Sequence, residues 1–183
     1  MKHVLSGRGM LEAVLMGEIP RETTGSFNHV VRQREAQVLR TAFRILGNWA
    51  DAEDVAQEVF LRLHKNGLKF VNEAAAGGWL YRVTVNLCVD RTRSARPAQE
   101  LPELTSRDRS AEATVLLEEK KQQLMAALAM LPAKERAAVV LREIEGLSTA
   151  EVAEALGSTE VTVRSQISKA MVKLRGILNR EEV

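Results

Sequence analysis

The chain has 183 residues, a formal net charge of +2 and 45% hydrophobic residues, of which few are aromatic. This length fits one large or two small domains, and the helix-favouring composition predicts an all-α fold. The single cysteine, Cys88, excludes an internal disulfide, and the scattered histidines give no zinc-binding spacing. No apolar run approaches the ~20 residues of a membrane span, so we expect a cytoplasmic protein without membrane insertion, metal or cofactor.

The first half of the chain is predicted to be helical after a short leader. Residues 1–26 are mixed in character and contain several glycines, so we expect a loosely ordered leader, with room for a short helix at residues 10–16. Apolar residues then recur at helical spacing. The predicted elements are helices at 27–46, 51–65 and 79–93, with a loop at 69–78 before the third.

A change in composition marks a boundary between two domains. Residues 94–111 hold two prolines and four serines or threonines among mixed charges, which is typical of a linker. We therefore predict two small helical domains joined by a flexible linker. The predicted divisions are a leader at 1–26, a first domain at 27–96, a linker at 97–112 and a second domain at 113–180, with helices at 113–130, 132–145, 149–156 and 160–178.

The last two predicted helices have the spacing of a helix-turn-helix. Ser148 and Glu151 fit a capping box at the start of the first of them, and Gly157 ends it. Such a short connection makes the two helices cross steeply, and in these units the second helix enters the DNA major groove. Apolar positions are expected from Val152, Ala153 and Leu156 on the first helix and from Val161, Val163, Ile167 and Leu174 on the second.

Local charge favours DNA binding by the last helix. Residues 159–180 carry five basic residues and one acidic residue, whereas residues 147–158 carry two acidic residues and no basic one. The candidate reading residues share one solvent-facing side of the helix, which we call the basic face: Arg164, Ser165, Ser168 and Lys169. The alternative is a helical hairpin whose basic face is merely solvated.

The second predicted helix has one strongly acidic side. Residues 51–60 carry four acidic residues and no basic residue. One side of the helix holds Ala52, Val55, Val59 and Leu63, which we assign to the core. The opposite side, which we call the acidic face, holds Asp54, Gln57, Glu58 and Leu61, and it suits docking on a basic protein surface. The alternative is an ordinary solvated face with one exposed leucine.

The third predicted helix is apolar nearly all round, except along one line. This line, which we call the polar stripe, consists of Trp79, Arg82, Asn86, Asp90 and Arg93. An aromatic ring, an amide and arginines in one row can stack on an unpaired base, read its edge and hold phosphates. The alternative is a surface ladder of polar residues with Trp79 anchored in the core. Cys88 is expected to be a small buried apolar residue.

In combination, these segments resemble the extracytoplasmic-function (ECF) group of the sigma-70 superfamily of RNA polymerase sigma factors. AFRILGNWADAEDVAQEVFLRLHK is similar to the group's core-binding helices in region 2, and GGWLYRVTVNLCVDRTRSARP to its promoter-melting helix. LPAKERAAVVLREIEGLSTAEVAEALGSTEVTVRSQISKAMVKLR is similar to its region 4. The resemblance covers about residues 27–178 in the same order and spacing.

The resemblance implies a role for each predicted surface. The acidic face would dock on core RNA polymerase, and the polar stripe would act at the minus-ten element, with Asn86 in the base-reading pocket. The basic face would read the minus-thirty-five element, and Arg142 would contact a phosphate. The implied partners are core RNA polymerase, promoter DNA and an anti-sigma factor, with a free protein that is monomeric, responds to a stress or signal and is not an enzyme.

This sequence departs from the family pattern at the last helix. Gln166, Ser168 and Met171 stand where the family often has basic or aromatic residues, and Val161 stands where it usually has glycine. The upstream element is therefore expected to be gripped more weakly or specified differently. The alternatives are a stand-alone helix-turn-helix regulator and a helical enzyme, and for the enzyme the sequence contains no convergent nucleophile, metal cluster or phosphate loop.

Overall fold

The fold is all-α over the residues that the computed structural model describes, which are 21–65, 73–94 and 112–179. This confirms the predicted fold class. Apolar residues at intervals of three and four give each long helix one side that packs into the core. In chain order the helices are α1 (Arg21–Leu46), α2 (Trp49–Lys65), α3 (Glu73–Ser94), α4 (Glu112–Ala129), α5 (Ala133–Val139), α6 (Thr149–Ala155) and α7 (Glu160–Leu178).

The first bundle consists of α1, α2 and α3, which all pack against one another. Gly47, with φ 86°, ends α1, and Asn48 accepts a hydrogen bond from the backbone N–H of Asp51 at 2.8 Å near the start of α2. The α2 side assigned to the core is buried as predicted: Ala52, Val55, Val59 and Leu63.

Two helices in this bundle begin earlier than the sequence predicted. Helix α1 begins at Arg21 and so includes residues 21–26, which we had assigned to the leader. Helix α3 begins at Glu73, so the loop predicted at 69–78 is wrong from residue 73 onward. The predicted loop included Gly77 and Gly78, but both lie within α3, which packs along α1. Packing on α1 therefore overrides the low helix propensity of glycine.

The second bundle consists of α4 to α7, with one irregular turn. After α5, residues Val140–Ile144 form a π turn, in which the Glu145 backbone N–H donates to the Val140 carbonyl at 3.0 Å. Such a turn contains one residue more than an α-helical turn and rotates the residues that follow. The helix predicted to run to Glu145 therefore ends in this wider turn.

The helix-turn-helix is present as predicted. Ser148 caps α6 by accepting from the Glu151 backbone N–H, and Glu151 accepts in return from the Ser148 backbone, which confirms the capping box. Gly157 adopts φ 56° just after α6, and Thr159 caps α7 by accepting from the Thr162 backbone N–H at 3.2 Å. This tight connection fixes the direction in which α7 leaves the bundle.

The two bundles pack on each other, and their buried apolar residues form one continuous cluster. Arg136 of α5 lies at the junction with 6% of its surface exposed. It donates to the Ile45 carbonyl of α1 at 2.6 Å and to the carbonyls of Ala129 and Leu131 after α4. Desolvation by burial lowers the pKa of Arg136. One guanidinium thus satisfies carbonyls near the ends of two helices from different bundles.

The remaining predictions about leader and linker cannot be compared with the structure. The helix at residues 10–16 and most of the linker at 97–112 lie outside the described residues. Within the described ranges, no helix has the length and apolar character needed to cross a membrane. The same ranges contain no group of three or more acidic, histidine or cysteine residues arranged to hold a metal ion.

Candidate functional site

The acidic face lies on the side of α2 away from the core, as the helical spacing predicted. Asp54 is exposed, and Gln57, Glu58 and Leu61 are partly exposed. Carboxylates therefore surround a leucine that a partner surface can cover.

Neighbouring arginines partly neutralise this face. Arg91 of α3 bridges Asp51 and Asp54, each at 2.7 Å, and Arg62 contacts Glu58 at 2.7 Å. Desolvation works against the charge of Arg91, but the hydrogen bonds and charges of the two aspartates outweigh it and raise its pKa. A basic partner would therefore compete with Arg62 and Arg91 for the same carboxylates. The sequence analysis missed this arrangement, because Arg91 is 37 positions from Asp54.

The polar stripe follows α3 with its polar residues in solvent. Arg82, Asn86, Asp90 and Arg93 are exposed, as expected for a line of residues at intervals of three and four. Trp79 is half-buried and packs against the core, so part of the alternative assignment of this ring as a core anchor is correct. Asn86 is exposed, while Thr84, Val85 and Cys88 on the other side of the helix are buried.

The buried side of the same helix anchors the stripe to the bundle. Thr84, Val85 and Cys88 are buried, and the Thr84 hydroxyl donates to the Leu80 carbonyl at 2.7 Å. Desolvation by burial raises the pKa of the Cys88 thiol to about 12. Cys88 is thus a neutral apolar residue, as predicted, and a redox role, which needs an accessible thiolate, does not fit its surroundings.

The basic face of α7 is also in solvent. Arg164, Ser165, Ser168 and Lys169 are all exposed, while Val163, Ala170 and Leu174 bury the opposite side of the helix. Glu160 accepts a hydrogen bond from Arg164 at 2.6 Å, one turn away. This pairing holds the guanidinium beside the N-terminus of α7, where a recognition helix reaches base edges. Arg142 is exposed too and donates to the Leu147 carbonyl at 2.8 Å.

One residue of α7 lies on a different side from the one expected. Val161 was counted among the apolar positions of the second helix, yet 72% of its surface is exposed. It comes two residues before buried Val163, so it points away from the core at 100° per residue. The charge pattern did not reveal Val161 as a surface residue, but its angular position did contain that information.

A polar cluster joins the two bundles, and no sequence pattern indicated it. The Glu145 carboxylate accepts from Arg44 of α1 and from the Tyr81 hydroxyl of α3, the latter at 3.3 Å. Gln37 of α1 donates in turn to the Tyr81 hydroxyl. Desolvation, followed by the charge of Glu145, raises the pKa of Tyr81 to about 12. These four side chains, here called the junction cluster, hold α3 against the second bundle.

Comparison with known proteins shows what these surfaces belong to. The family model described as Sigma-70 region 2 matches residues 30–97, and that described as Sigma-70, region 4 matches residues 121–174. The ECF RNA polymerase sigma factor SigM of Mycobacterium tuberculosis (strain Erdman) is 30% identical over 182 residues, which cover 97% of this chain and 87% of that protein. The chain belongs to the ECF sigma factors of the sigma-70 family.

Other relatives of this ECF sigma factor agree in family. The RNA polymerase sigma-E factor of Streptomyces avermitilis is 32% identical, with 86% of this chain and 87% of that protein covered. The ECF RNA polymerase sigma factor SigE of Mycolicibacterium smegmatis is 38% identical over 84% of this chain, but the match spans only 62% of that relative's length. As a member of this family, the chain is a DNA-binding protein of transcription initiation and not an enzyme.

Two solved structures share the fold of this ECF sigma factor. CnrH, in complex with the cytosolic domain of CnrY, matches with a TM-score of 0.63 and 22% identity, covering 96% of this chain and 99% of that chain. The sigma factor RpoE of Bartonella quintana, in complex with the anti-sigma factor NepR, matches with a TM-score of 0.64 and 19% identity, covering 84% and 97%.

Proposed function

We propose that this sigma factor binds core RNA polymerase through the acidic face, opens the minus-ten element with the polar stripe and reads the minus-thirty-five element with the basic face. The observation that carries the proposal is the exposure of Asn86 on a helix whose other side is buried. A rigid helix can keep one amide in place for a base that leaves the stack. Arg82 and Arg93 on the same line are available for backbone phosphates.

The acidic face would supply the contacts to polymerase, and the basic face would supply those to upstream DNA. Carboxylates around Leu61 suit a basic, partly apolar polymerase surface, with Asp54, Gln57 and Glu58 supplying the polar contacts. On α7, Arg164 and Lys169 suit phosphates and guanine edges, while Ser165 and Ser168 are adaptable partners. Arg142, on the turn before the helix-turn-helix, suits a phosphate. Two anchors on one protein raise the effective concentration of each, so that neither contact alone needs to be tight.

We further propose that the protein works in the cytoplasm, responds to a stress or another signal and is held inactive by an anti-sigma factor. The support is that the RpoE structure with this fold contains the anti-sigma factor NepR. An anti-sigma factor would have to cover the acidic face, the polar stripe or both in order to block the proposed contacts. Binding of a purified candidate partner, followed by loss of transcription in vitro, would test this part.

The central experiment compares Asn86→Ala with the unchanged protein in reconstituted transcription. Core RNA polymerase and a genomic promoter library supply the templates, and permanganate footprinting reports strand opening. We expect Asn86→Ala to lower opening about tenfold, as loss of one base-reading contact would, without weakening holoenzyme assembly. A template whose minus-ten region is already unpaired should restore much of the activity, because the cost of unstacking has been removed.

Gln123→Ala is the matched control, because Gln123 is an exposed amide on α4 outside the three surfaces. It should open promoters normally. Equal loss of assembly and opening in Asn86→Ala would contradict the assigned role. If the protein alone shifts a specific duplex as tightly as the holoenzyme does, the stand-alone regulator is the better description.

A further inference from the structure

A line of uncharged residues runs along the outward side of α7. Val161, Ser165, Ser168 and Val172 follow one another at intervals of four, three and four, so they lie on one side of the helix. This side is opposite buried Val163, Ala170 and Leu174. Both serines are exposed, and Val161 and Val172 are 72% and 66% exposed. The outermost line of the helix is therefore small or apolar.

Basic side chains lie on both sides of this line. Arg164 and Arg175 are exposed on one side, and Lys169 is exposed on the other. Single exposed valines are ordinary on protein surfaces. Here, however, the valines lie between the cations that suit phosphates, where the helix would contact the floor of a groove. An apolar side chain at that position needs an apolar group on the DNA.

The major groove offers one such group, the C5 methyl of thymine, with which small apolar side chains make direct contact. Val161 is placed to reach it, because a recognition helix presents its N-terminal residues to the base edges. Val161 is the second residue after the Thr159 cap. Val172 lies eleven residues further on, about 16 Å along the axis, and would be near the groove exit.

The local structure also fixes the direction of the Val161 side chain. A β-branched residue in a helix has one strongly preferred χ1 rotamer, so little freedom is lost on contact. Thr159 caps the N-terminus of α7, and Glu160 and Arg164 form an ion pair in the same first turns of the helix. The neighbouring Ser165 is too short to cover the valine. The Val161 methyl groups are thus the most prominent apolar atoms at the leading end of α7.

We propose that Val161 specifies a thymine in the upstream promoter element by packing on its C5 methyl group. This inference rests on the proposed function, in which α7 reads upstream duplex DNA. Burial of one methyl group is worth about 0.8 kcal/mol, which corresponds to about a fourfold change in binding. The contact would therefore modify specificity, whereas the arginine and lysine contacts would supply most of the affinity.

The test removes either the C5 methyl group of the thymine or the two γ-methyl groups of Val161. Holoenzyme first selects upstream elements from promoter duplexes randomised in that region, and each thymine of the best element is then replaced by deoxyuridine. We expect one replacement to weaken binding of the unchanged holoenzyme about fourfold. Val161→Ala, which loses both γ-methyl groups and keeps only Cβ, should discriminate the thymine and uracil duplexes clearly less than fourfold, while Val172→Ala should discriminate like the unchanged protein.

The other outcomes distinguish failure of this inference from failure of the proposed function. If no uracil replacement matters, if the selected elements contain no thymine, or if Val161→Ala discriminates as strongly as the unchanged protein, Val161 does not read a methyl group. If the selection yields no preferred upstream sequence, or if Arg164→Ala has no effect on binding, α7 does not read the element at all. Thermal unfolding of Val161→Ala should match the parent, because the side chain is exposed.

Discussion

Arg82 of the polar stripe donates a hydrogen bond to the Glu154 carboxylate of α6, at 3.0 Å between Nη2 and Oε1. The contact links the residue proposed for promoter DNA to the first helix of the helix-turn-helix. Both side chains are largely exposed, at 47% and 69%. Ion pairs of this kind contribute at most about 1 kcal/mol and weaken as salt is added. Arg82 can therefore leave Glu154 for a phosphate at little cost.

This weak coupling gives the first prediction. Glu154→Gln should change the free energy of unfolding in urea by less than about 1 kcal/mol, because the lost ion pair is exposed. A double-mutant cycle with Arg82→Ala should give a coupling of the same small size, decreasing between low and high salt. A loss above about 2 kcal/mol for Glu154→Gln would instead make the pair a main support of the domain contact.

Reversal of charge on the acidic face should weaken polymerase binding. Glu58→Lys places a cation where a basic partner is proposed and also releases Arg62, so we expect about a tenfold loss of affinity for core polymerase. Titration of labelled protein with core polymerase measures it. Glu53→Lys is the matched control, because it makes the same change of charge on an exposed part of α2 outside the acidic face. Unchanged affinity of Glu58→Lys would remove the assigned role of this face.

Removal of the Glu145 carboxylate should loosen the contact between the bundles. Glu145 retains only 10% of its side-chain exposure and holds both Arg44 and Tyr81, so Glu145→Ala leaves two partly buried groups without their acceptor. We expect a loss of about 1–3 kcal/mol in urea unfolding. Glu143→Ala, an exposed neighbour, should be neutral. Equal stability of both variants would mean that the junction cluster adds nothing to domain packing.

The raised pKa of Tyr81 predicts a loss of stability at alkaline pH. The folded protein, in which the pKa of Tyr81 is about 12, keeps the phenol protonated at pH values where the unfolded chain, with the ordinary tyrosine pKa of 10.0, has released its proton. Stability from this group is therefore full below pH 10 and is lost as pH rises from 10 to 12. Urea unfolding at several pH values should show a smaller decline for Tyr81→Phe than for the parent. An identical decline would place the cause elsewhere.

Loss of Arg136 should be the most damaging of these substitutions. Arg136→Met keeps a long side chain but leaves the carbonyls of Ile45, Ala129 and Leu131 without this donor. Ile45 and Leu131 are buried residues, and unsatisfied buried acceptors cost about 1–3 kcal/mol each before relaxation, so we expect a total loss of about 2–4 kcal/mol. Lys134→Met, on the exposed side of the same helix, is the control. A drop in thermal midpoint no larger than the control's would contradict the bridging role.

Local rules predicted most of the helices and the residues on each surface. The core side of α2, the exposed polar residues of α3 and the capping box at Ser148 all follow from helical spacing or from short-range capping. The start of α3 was predicted too late, because the packing of this helix on α1 is not visible in local propensity. The position of Val161 was misjudged because its apolar character was given more weight than its angle around the helix.

The contacts between bundles could not be predicted, for a different reason. Arg44 and Glu145 are 101 positions apart, and Arg82 and Glu154 are 72 apart. No periodicity or capping rule relates residues at such separations. The sequence predicts which residues belong to each surface. How the surfaces are arranged around the junction cluster is shown only by the three-dimensional fold.

The π turn at Val140–Ile144 makes the fold sensitive to the exact number of residues in this segment. Deleting a single residue there would let an ordinary α-helical turn form, and each later side chain would then swing by about 100° around the axis. The Glu145 carboxylate would then point away from Arg44 and Tyr81, and the helix-turn-helix would take a different orientation. An insertion or deletion in these five residues would therefore reorient the helix-turn-helix against the rest of the protein and would disturb the core of the second bundle, in which α4 and α5 pack against α7.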